Sequence, residues 1–469
     1  MSEAFRSWDM VLRHSSSGAL GHTLQAGLTC VIILALAFAT TLALSTRVDA
    51  RTGSHHGKPI TVEAQLSQSV VPDGGAVELY LRLGIKARRP ANTATRPPLN
   101  IALVLDKSGS MGGARIREAR SAALMAVDRL GRDDALTVVS YDSVARVLVQ
   151  SQTLAHRERL KRRIGRLGAN GSTAIYDGLT TAADEMATFV DPDRVSRIIL
   201  LSDGQANVGP RDPAAFADLG RDLAARGIIV STIGLGSGYN EDLMAQLAQS
   251  GEGNHAFVSE PQELVAFFDR EFNDATQVVA QDVEVIITFS GDVEPVESLG
   301  RKARRAGRTL SYRLGQLIGG SEHVLVSSLR LPNAVRSGRV GIASVAVRFR
   351  SAETGVDMRT ETHVSVTTSP DGAAQNASRN ADVMEDVTLL EARAERARAI
   401  KLRDGGREQE AQAVFKAAAS RMTARQKAFG FDASDRFAAE QRANEAAAAP
   451  ATPQQWRTQR KTLRALESN

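Results

Sequence analysis

Residues Ile101 to Gly113 read IALVLDKSGSMGG. An unbroken apolar run ends on an aspartate, and two serines follow at alternate positions of a Gly-containing turn. A run of this length bounded by turn residues predicts a buried strand. From Ala114 apolar residues recur at helical spacing (Ile116, Ala119, Ala123, Ala126, Leu130), so the turn leads into a helix. Strand, oxygen-rich turn and helix together predict the first unit of an α/β domain.

The pattern repeats further along the chain. ALTVVSY and ARVLVQ read as strands joined by a short turn, followed by a basic helix and the loop GANGSTAIYDG. Asp177 to Phe189 reads as a helix. RIILLSDG is a second buried strand ending on an aspartate, Asp203. Helices over Phe216–Arg226, Glu241–Gln249 and Pro261–Asn273 alternate with the strands IIVSTIGLG and HAFV. This alternation predicts a doubly wound, mostly parallel sheet over residues 100–274, with helices on both faces. Ligands of such sheets bind beyond the carboxyl ends of the strands, where Asp106 and Asp203 are expected.

The flanks have a different texture. Residues 58–99 hold two period-two strand patterns separated by VPDGG, and residues 275–370 return to strands. Together they predict a β-sandwich into which the α/β domain is inserted. Residues 381–469 are rich in Ala, Glu and Arg and predict a helical region, with a pair over Val383–Leu402 and Glu408–Phe429 broken at DGG and read as a plain helical tail rather than a tetratricopeptide-like hairpin. Near the start, a polar segment (1–24) precedes an uncharged stretch (25–45) and a linker (46–57). The stretch has about the ~20 residues of a membrane-spanning helix. It is read as a single-pass inner-membrane anchor that leaves the bulk of the chain periplasmic or extracytoplasmic. The alternative is a signal removed near Ala50, giving a secreted protein.

Composition narrows the function. Of 469 residues, 43% are hydrophobic and 24% charged, which is ordinary for a globular chain. The single cysteine, Cys30, excludes internal disulfides and cysteine-based zinc sites. The net charge is +5, but the basic runs at Arg157–Arg166 and Arg301–Arg308 lack interleaved aromatics, so solvated faces are expected and nucleic-acid binding is not.

DKSGSMGG has no lysine after its glycines, which excludes a P-loop, and its serines do not stand in G-x-S-x-G. A helix cap would explain Ser110 alone. A hard divalent cation explains the whole set. Asp106, Ser108 and Ser110 can converge above the sheet, with Thr173 and Asp203 supplied by neighbouring loops. The hydroxyls are neutral and two carboxylates only balance the cation, so the metal stays electrophilic toward a carboxylate from a partner protein.

D-x-S-x-S after a strand, Thr173 in a GST loop and SDG after a later strand resemble the von Willebrand factor type A domain and its metal-ion-dependent adhesion site. The resemblance implies Asp106, Ser108, Ser110 and Thr173 as ligands or near-ligands and Asp203 as a ligand through water. It implies Mg²⁺, with Mn²⁺ or Ca²⁺ as substitutes, and a protein-binding rather than enzymatic role. Two alternatives are a metal-dependent hydrolase using His255 and Asp142, and an envelope scaffold with a purely structural metal.

Overall fold

The computed structural model describes residues 59–89, 96–236, 238–259, 261–332 and 338–466. The expected anchor, cleavage site and linker lie outside these residues. Among the described residues no helix is long and apolar enough to cross a membrane.

The chain opens with β1 (Ile60–Leu66), β2 (Val70–Val71) and β3 (Val77–Ala87). The α/β domain follows as β4 (Leu99–Asp106), α1 (Ala114–Arg129), β5 (Ala135–Tyr141), β6 (Ala145–Thr153), α2 (Arg157–Gly165), α3 (Ile175–Met186), β7 (Val195–Ser202), α4 (Pro213–Ala225), β8 (Ile228–Leu235), α5 (Glu241–Ser250), β9 (Glu252–Val258) and α6 (Pro261–Thr276). Its six strands lie in the order β6-β5-β4-β7-β8-β9. Only the β5–β6 pair is antiparallel.

β4, β5, β7 and β8 are buried at every position, which is why they read as continuous apolar runs. Side chains alternate across the sheet, so β4 feeds two cores. Ile101, Leu103 and Leu105 pack with α1, α2 and α6 through Ile116, Ala123, Leu160 and Phe268. Ala102 and Val104 face α3, α4 and α5 through Leu179, Phe216 and Leu247. The chain leaves β4 toward β5 on one side and returns to β7 on the other. In doubly wound sheets such a reversal places ligand sites beyond the carboxyl end of the strand, here β4.

After α6 come β10 (Val278–Phe289), β11 (Glu294–Leu299), β12 (Arg304–Ala306), β13 (Thr309–Ile318), β14 (Glu322–Leu331), β15 (Gly338–Ser351) and β16 (Asp357–Thr368). They form two sheets, β1-β3-β14-β11 and β12-β13-β10-β15-β16-β2. β3, before the α/β domain, pairs with β14, after it, from Val77↔Leu331 to Lys86↔Glu322. Leu81, Leu83 and Ile85 of one sheet meet Val285, Ile287 and Val347 of the other in a shared core. β11 and β12 are strands that the polar patterns ESL and RRA did not suggest.

Among the described residues the C-terminal part holds the helical pair and three further helices. A short α7 (Gly372–Ala377) precedes α8 (Ala381–Asp404), α9 (Glu408–Phe429), α10 (Asp435–Ala447) and α11 (Pro453–Ala465). α8 and α9 form a hairpin, and α10 packs on both. Arg396 of α8 is fully buried and donates to Glu440 of α10 at 2.5 Å. α11 folds back onto the α/β domain. Its Arg460 donates to Glu241 at 2.6 Å and Asp404 at 2.8 Å, and also to Asp242. The Lys461 ammonium lies 4.2 Å from the Tyr239 ring centre. Charge pairing docks this helix on the α/β domain, while its Leu463 and Trp456 pack with Ile400 of α8 and Phe415 of α9.

Candidate functional site

The site assembles at the carboxyl end of β4. Asp106 is completely buried, and both of its oxygens are engaged. Oδ1 accepts the Ser108 amide at 2.8 Å and Oδ2 accepts the Ser202 hydroxyl at 2.6 Å. These donors favour ionisation, but burial outweighs them and pushes the carboxyl pKa above its ordinary value, with the Asp203 charge adding to the effect.

Beyond Asp106 the chain makes a 3₁₀ turn over Gly109–Met111, and Gly113 stands at the start of α1. Ser110 therefore does not cap the helix. Its hydroxyl donates to Asp203 Oδ1 at 2.7 Å and lies 3.1 Å from the Ser108 hydroxyl. The loop before α3 is zipped to this turn by Gly109 N–H to Gly171 O at 2.9 Å and Asn170 N–H to Lys107 O at 2.6 Å. Gly171 has φ +80°, a conformation in which a side chain is strained.

That loop presents Thr173, which is 3% exposed. Asn207 locks it in place: its Oδ1 accepts the Thr173 amide at 2.7 Å and its amide donates to Thr173 O at 3.1 Å. Gly204 lets the loops meet. A Cβ there would lie 3.3 Å from Thr173 Oγ1 and 3.5 Å from Ser110 Oγ. The structure thus brings Asp106, Ser108, Ser110, Thr173 and Asp203 to one place. Sequence reasoning missed Ser202, Asn207 and Arg115. Ser202 and Asn207 lie within four residues of Asp203, so the stretch SDGQAN held the signal.

The donor set is entirely oxygen: two carboxylates and three hydroxyls. Among the described residues no group of three His, Cys, Asp or Glu side chains could hold a metal. The cluster therefore does not suit a soft or imidazole-preferring ion. It fits a hard divalent cation, for which a buried carboxylate beside a second one supplies the charge.

His255 and Asp142 do not form an acid–base pair at this site. Asp142 follows β5 and is held by Lys107 and, at 3.3 Å, by Arg146. His255 lies on β9, with β4, β7 and β8 between. It is 6% exposed, with Nδ1 2.8 Å from the Thr232 hydroxyl and Nε2 3.3 Å from the Tyr239 hydroxyl. Burial lowers its pKa from 6.5 to about 4, against Thr232 and Glu241, which raise it, and alongside Lys461, which lowers it. Below 6.5 the unfolded chain binds this proton and the native state does not until about 4. Stability is therefore lost as pH falls through that window, by up to about 1.4 kcal/mol per unit. Urea midpoints between pH 7.5 and 4.5 should show a shallower slope for His255→Gln than for the unsubstituted protein. Equal slopes would refute this role.

A doubly wound sheet with an all-oxygen cluster at its strand ends defines a domain of the α/β class with a candidate metal site. Residues 100–279 match the von Willebrand factor type A domain. The chain is 31% identical over 295 residues to an uncharacterized protein of Synechocystis sp., covering 60% of this chain and 69% of that one. The chain belongs to the von Willebrand factor type A domain family. It is also 24% identical over 265 residues to mouse inter alpha-trypsin inhibitor heavy chain 4, covering 55% of this chain but only 26% of that protein. Among solved structures, a von Willebrand factor type A protein from Catenulispora acidiphila superposes with a TM-score of 0.63 at 17% identity, covering 78% of this chain and 88% of that one. Domains of this family generally mediate protein–protein interaction.

Proposed function

We propose that this chain is a membrane-anchored, extracytoplasmic binding protein that captures an acidic group of a partner protein at a divalent-metal site, without catalysing a reaction. The convergence of Asp106, Ser108, Ser110, Thr173 and Asp203 from three loops carries this reading. Mg²⁺, or Mn²⁺ or Ca²⁺ in its place, would be held by these oxygens and would supply a Lewis-acidic position for a carboxylate. Ser202 and the Ser108 amide orient Asp106, Asn207 orients Thr173, and Ser110 ties Asp203 to the turn. The uncharged stretch Gln25–Ser45 supports the anchor.

Calorimetry tests the site. The protein should bind Mg²⁺, and Asp106→Ala should weaken binding by at least about 100-fold, since even residues behind the ligands are worth ~10–100-fold. Unchanged affinity would sink the site. Chelator should also release the partner from protein captured in native membranes, whereas a contact made elsewhere on the surface survives it.

A further inference from the structure

Arg115, the second residue of α1, reaches over the rim of the cluster. Its Nη1 donates to Asp203 Oδ2 at 2.6 Å and to Ser110 O at 3.1 Å. The Asp203 side chain is completely buried, while 42% of the Arg115 side chain is exposed. Gly236, after β8, leaves room for the fork. A Cβ there would lie 3.2 Å from Arg115 Nη2, and the backbone has φ +70°. Both oxygens of Asp203 are thus committed, Oδ1 to Ser110 and Oδ2 to the guanidinium.

The consequence is one of charge. Asp106 and Asp203 alone would neutralise a divalent cation. With Arg115 fixed on Asp203, the loaded site keeps one positive charge in excess. The guanidinium carries that excess as a fixed charge. Its planar fork also suits the two oxygens of a carboxylate.

We infer that Arg115 sets the charge of this site, lowering its affinity for the metal while raising its preference for an anionic partner group. The inference rests on the proposed metal site and deepens it. Arg115 here is a positioning and specificity residue that acts through Asp203. A merely structural arginine would stabilise the loops, and its loss would leave metal binding unchanged or weaker. A charge-setting arginine gives the opposite sign, because removing a nearby positive charge favours a cation.

The test is Mg²⁺ titration calorimetry on the full chain at low ionic strength, with folding of each variant checked by circular dichroism. Arg115→Gln keeps a donor near Asp203 and removes the charge. Its Mg²⁺ affinity should rise at least roughly tenfold, the size expected for a unit charge about 6 Å from a divalent cation even at the dielectric of bulk water. Arg115→Lys keeps the charge and should stay within about twofold of the unsubstituted protein. The gain in Arg115→Gln should shrink as salt is raised. Equal or weaker binding by Arg115→Gln, or a gain in Arg115→Lys of the same size, overturns the inference while leaving the metal site standing. Absence of Mg²⁺ binding by the unsubstituted protein overturns the metal site itself, and the inference with it.

Discussion

Glu271→Ala is expected to lower the stability of the α/β domain by about 3–5 kcal/mol, the usual cost of leaving a buried charge without its partner. Glu271 sits on α6 with no exposed surface, and Arg197 of β7 beneath it is 2% exposed. Glu271 Oε2 accepts Arg197 Nη1 at 2.7 Å and the Ser231 hydroxyl at 2.6 Å. Oε1 accepts the Asn254 side-chain amide at 2.7 Å, and the Glu271 carbonyl takes Arg197 Nη1 at 3.2 Å. One carboxylate therefore joins α6 to β7, β8 and β9. Arg197 Nε is already buried without a hydrogen-bond partner, so once the carboxylate goes the charge of the neighbouring Asp274 compensates the cation only in part. Urea denaturation should give the loss directly. Glu271→Gln keeps the shape and should cost less. The double replacement Arg197→Met with Glu271→Leu should recover most of the deficit, because an apolar pair of similar volume has no buried charge to satisfy. A loss below about 1 kcal/mol in Glu271→Ala would show that the pair contributes little beyond its packing.

The effect should reach past the α/β domain. α6 runs directly into β10, a central strand of the sandwich, so its hold on β7–β9 helps fix the join between the two parts. Nothing in the sequence marks Glu271 as buried. PQELVAFFDREF reads as an amphipathic helix in which an acid belongs to the wet face. Only the polar positions Arg197, Ser231 and Asn254, gathered from three separate strands, make its burial tolerable.

The same contrast runs through the molecule. β4, β7 and β8 were legible because strands covered on both faces must be apolar at every position. Asp106 and Asp203 were legible because a carboxylate closing such a strand has no packing reason to be there. Ser108 and Ser110 followed from their alternation with Asp106, and Thr173 from the neighbouring loop NGST. The residues that orient them were not legible. Ser202 is one more small residue at a strand end, and Asn207 one more loop amide, until the fold sets them against Asp106 and Thr173. Arg115 looks like an ordinary first-turn helix residue, and its role depends on a glycine about 120 residues downstream. The docking of α11 on the α/β domain escaped for another reason. It rests on Arg460, Lys461 and Arg464 meeting Glu241 and Asp242, and periodicity reads apolar faces, not ion pairs.

Asp106→Asn should separate the stability of the metal-free protein from its response to metal. Asp106 is completely buried, and burial raises its native pKa above the ordinary carboxylate value. The native state therefore holds this proton more tightly than the unfolded chain. Stability therefore falls as pH rises from the unfolded value through the higher native one. Asparagine has nearly the same shape and removes that cost. Its oxygen can still accept the Ser108 amide, and its NH₂ can donate to the Ser202 hydroxyl, which then accepts. The metal-free variant should melt at or above the midpoint of the unsubstituted protein. On the proposed reading, the unsubstituted protein in Mg²⁺ at a hundred times its dissociation constant gains about 2.7 kcal/mol by mass action. Asp106→Asn should lose nearly all of that gain, so its melting curve in Mg²⁺ should coincide with its curve in chelator. A retained Mg²⁺-dependent shift would move the cation away from Asp106. A large drop in the metal-free midpoint would instead make Asp106 a structural carboxylate, whose charge the Ser108 and Ser202 donors stabilise in the metal-free fold. The predicted pattern, neutral or better without metal and worse with it, belongs to a residue retained at a cost to folding because the site needs a buried negative charge.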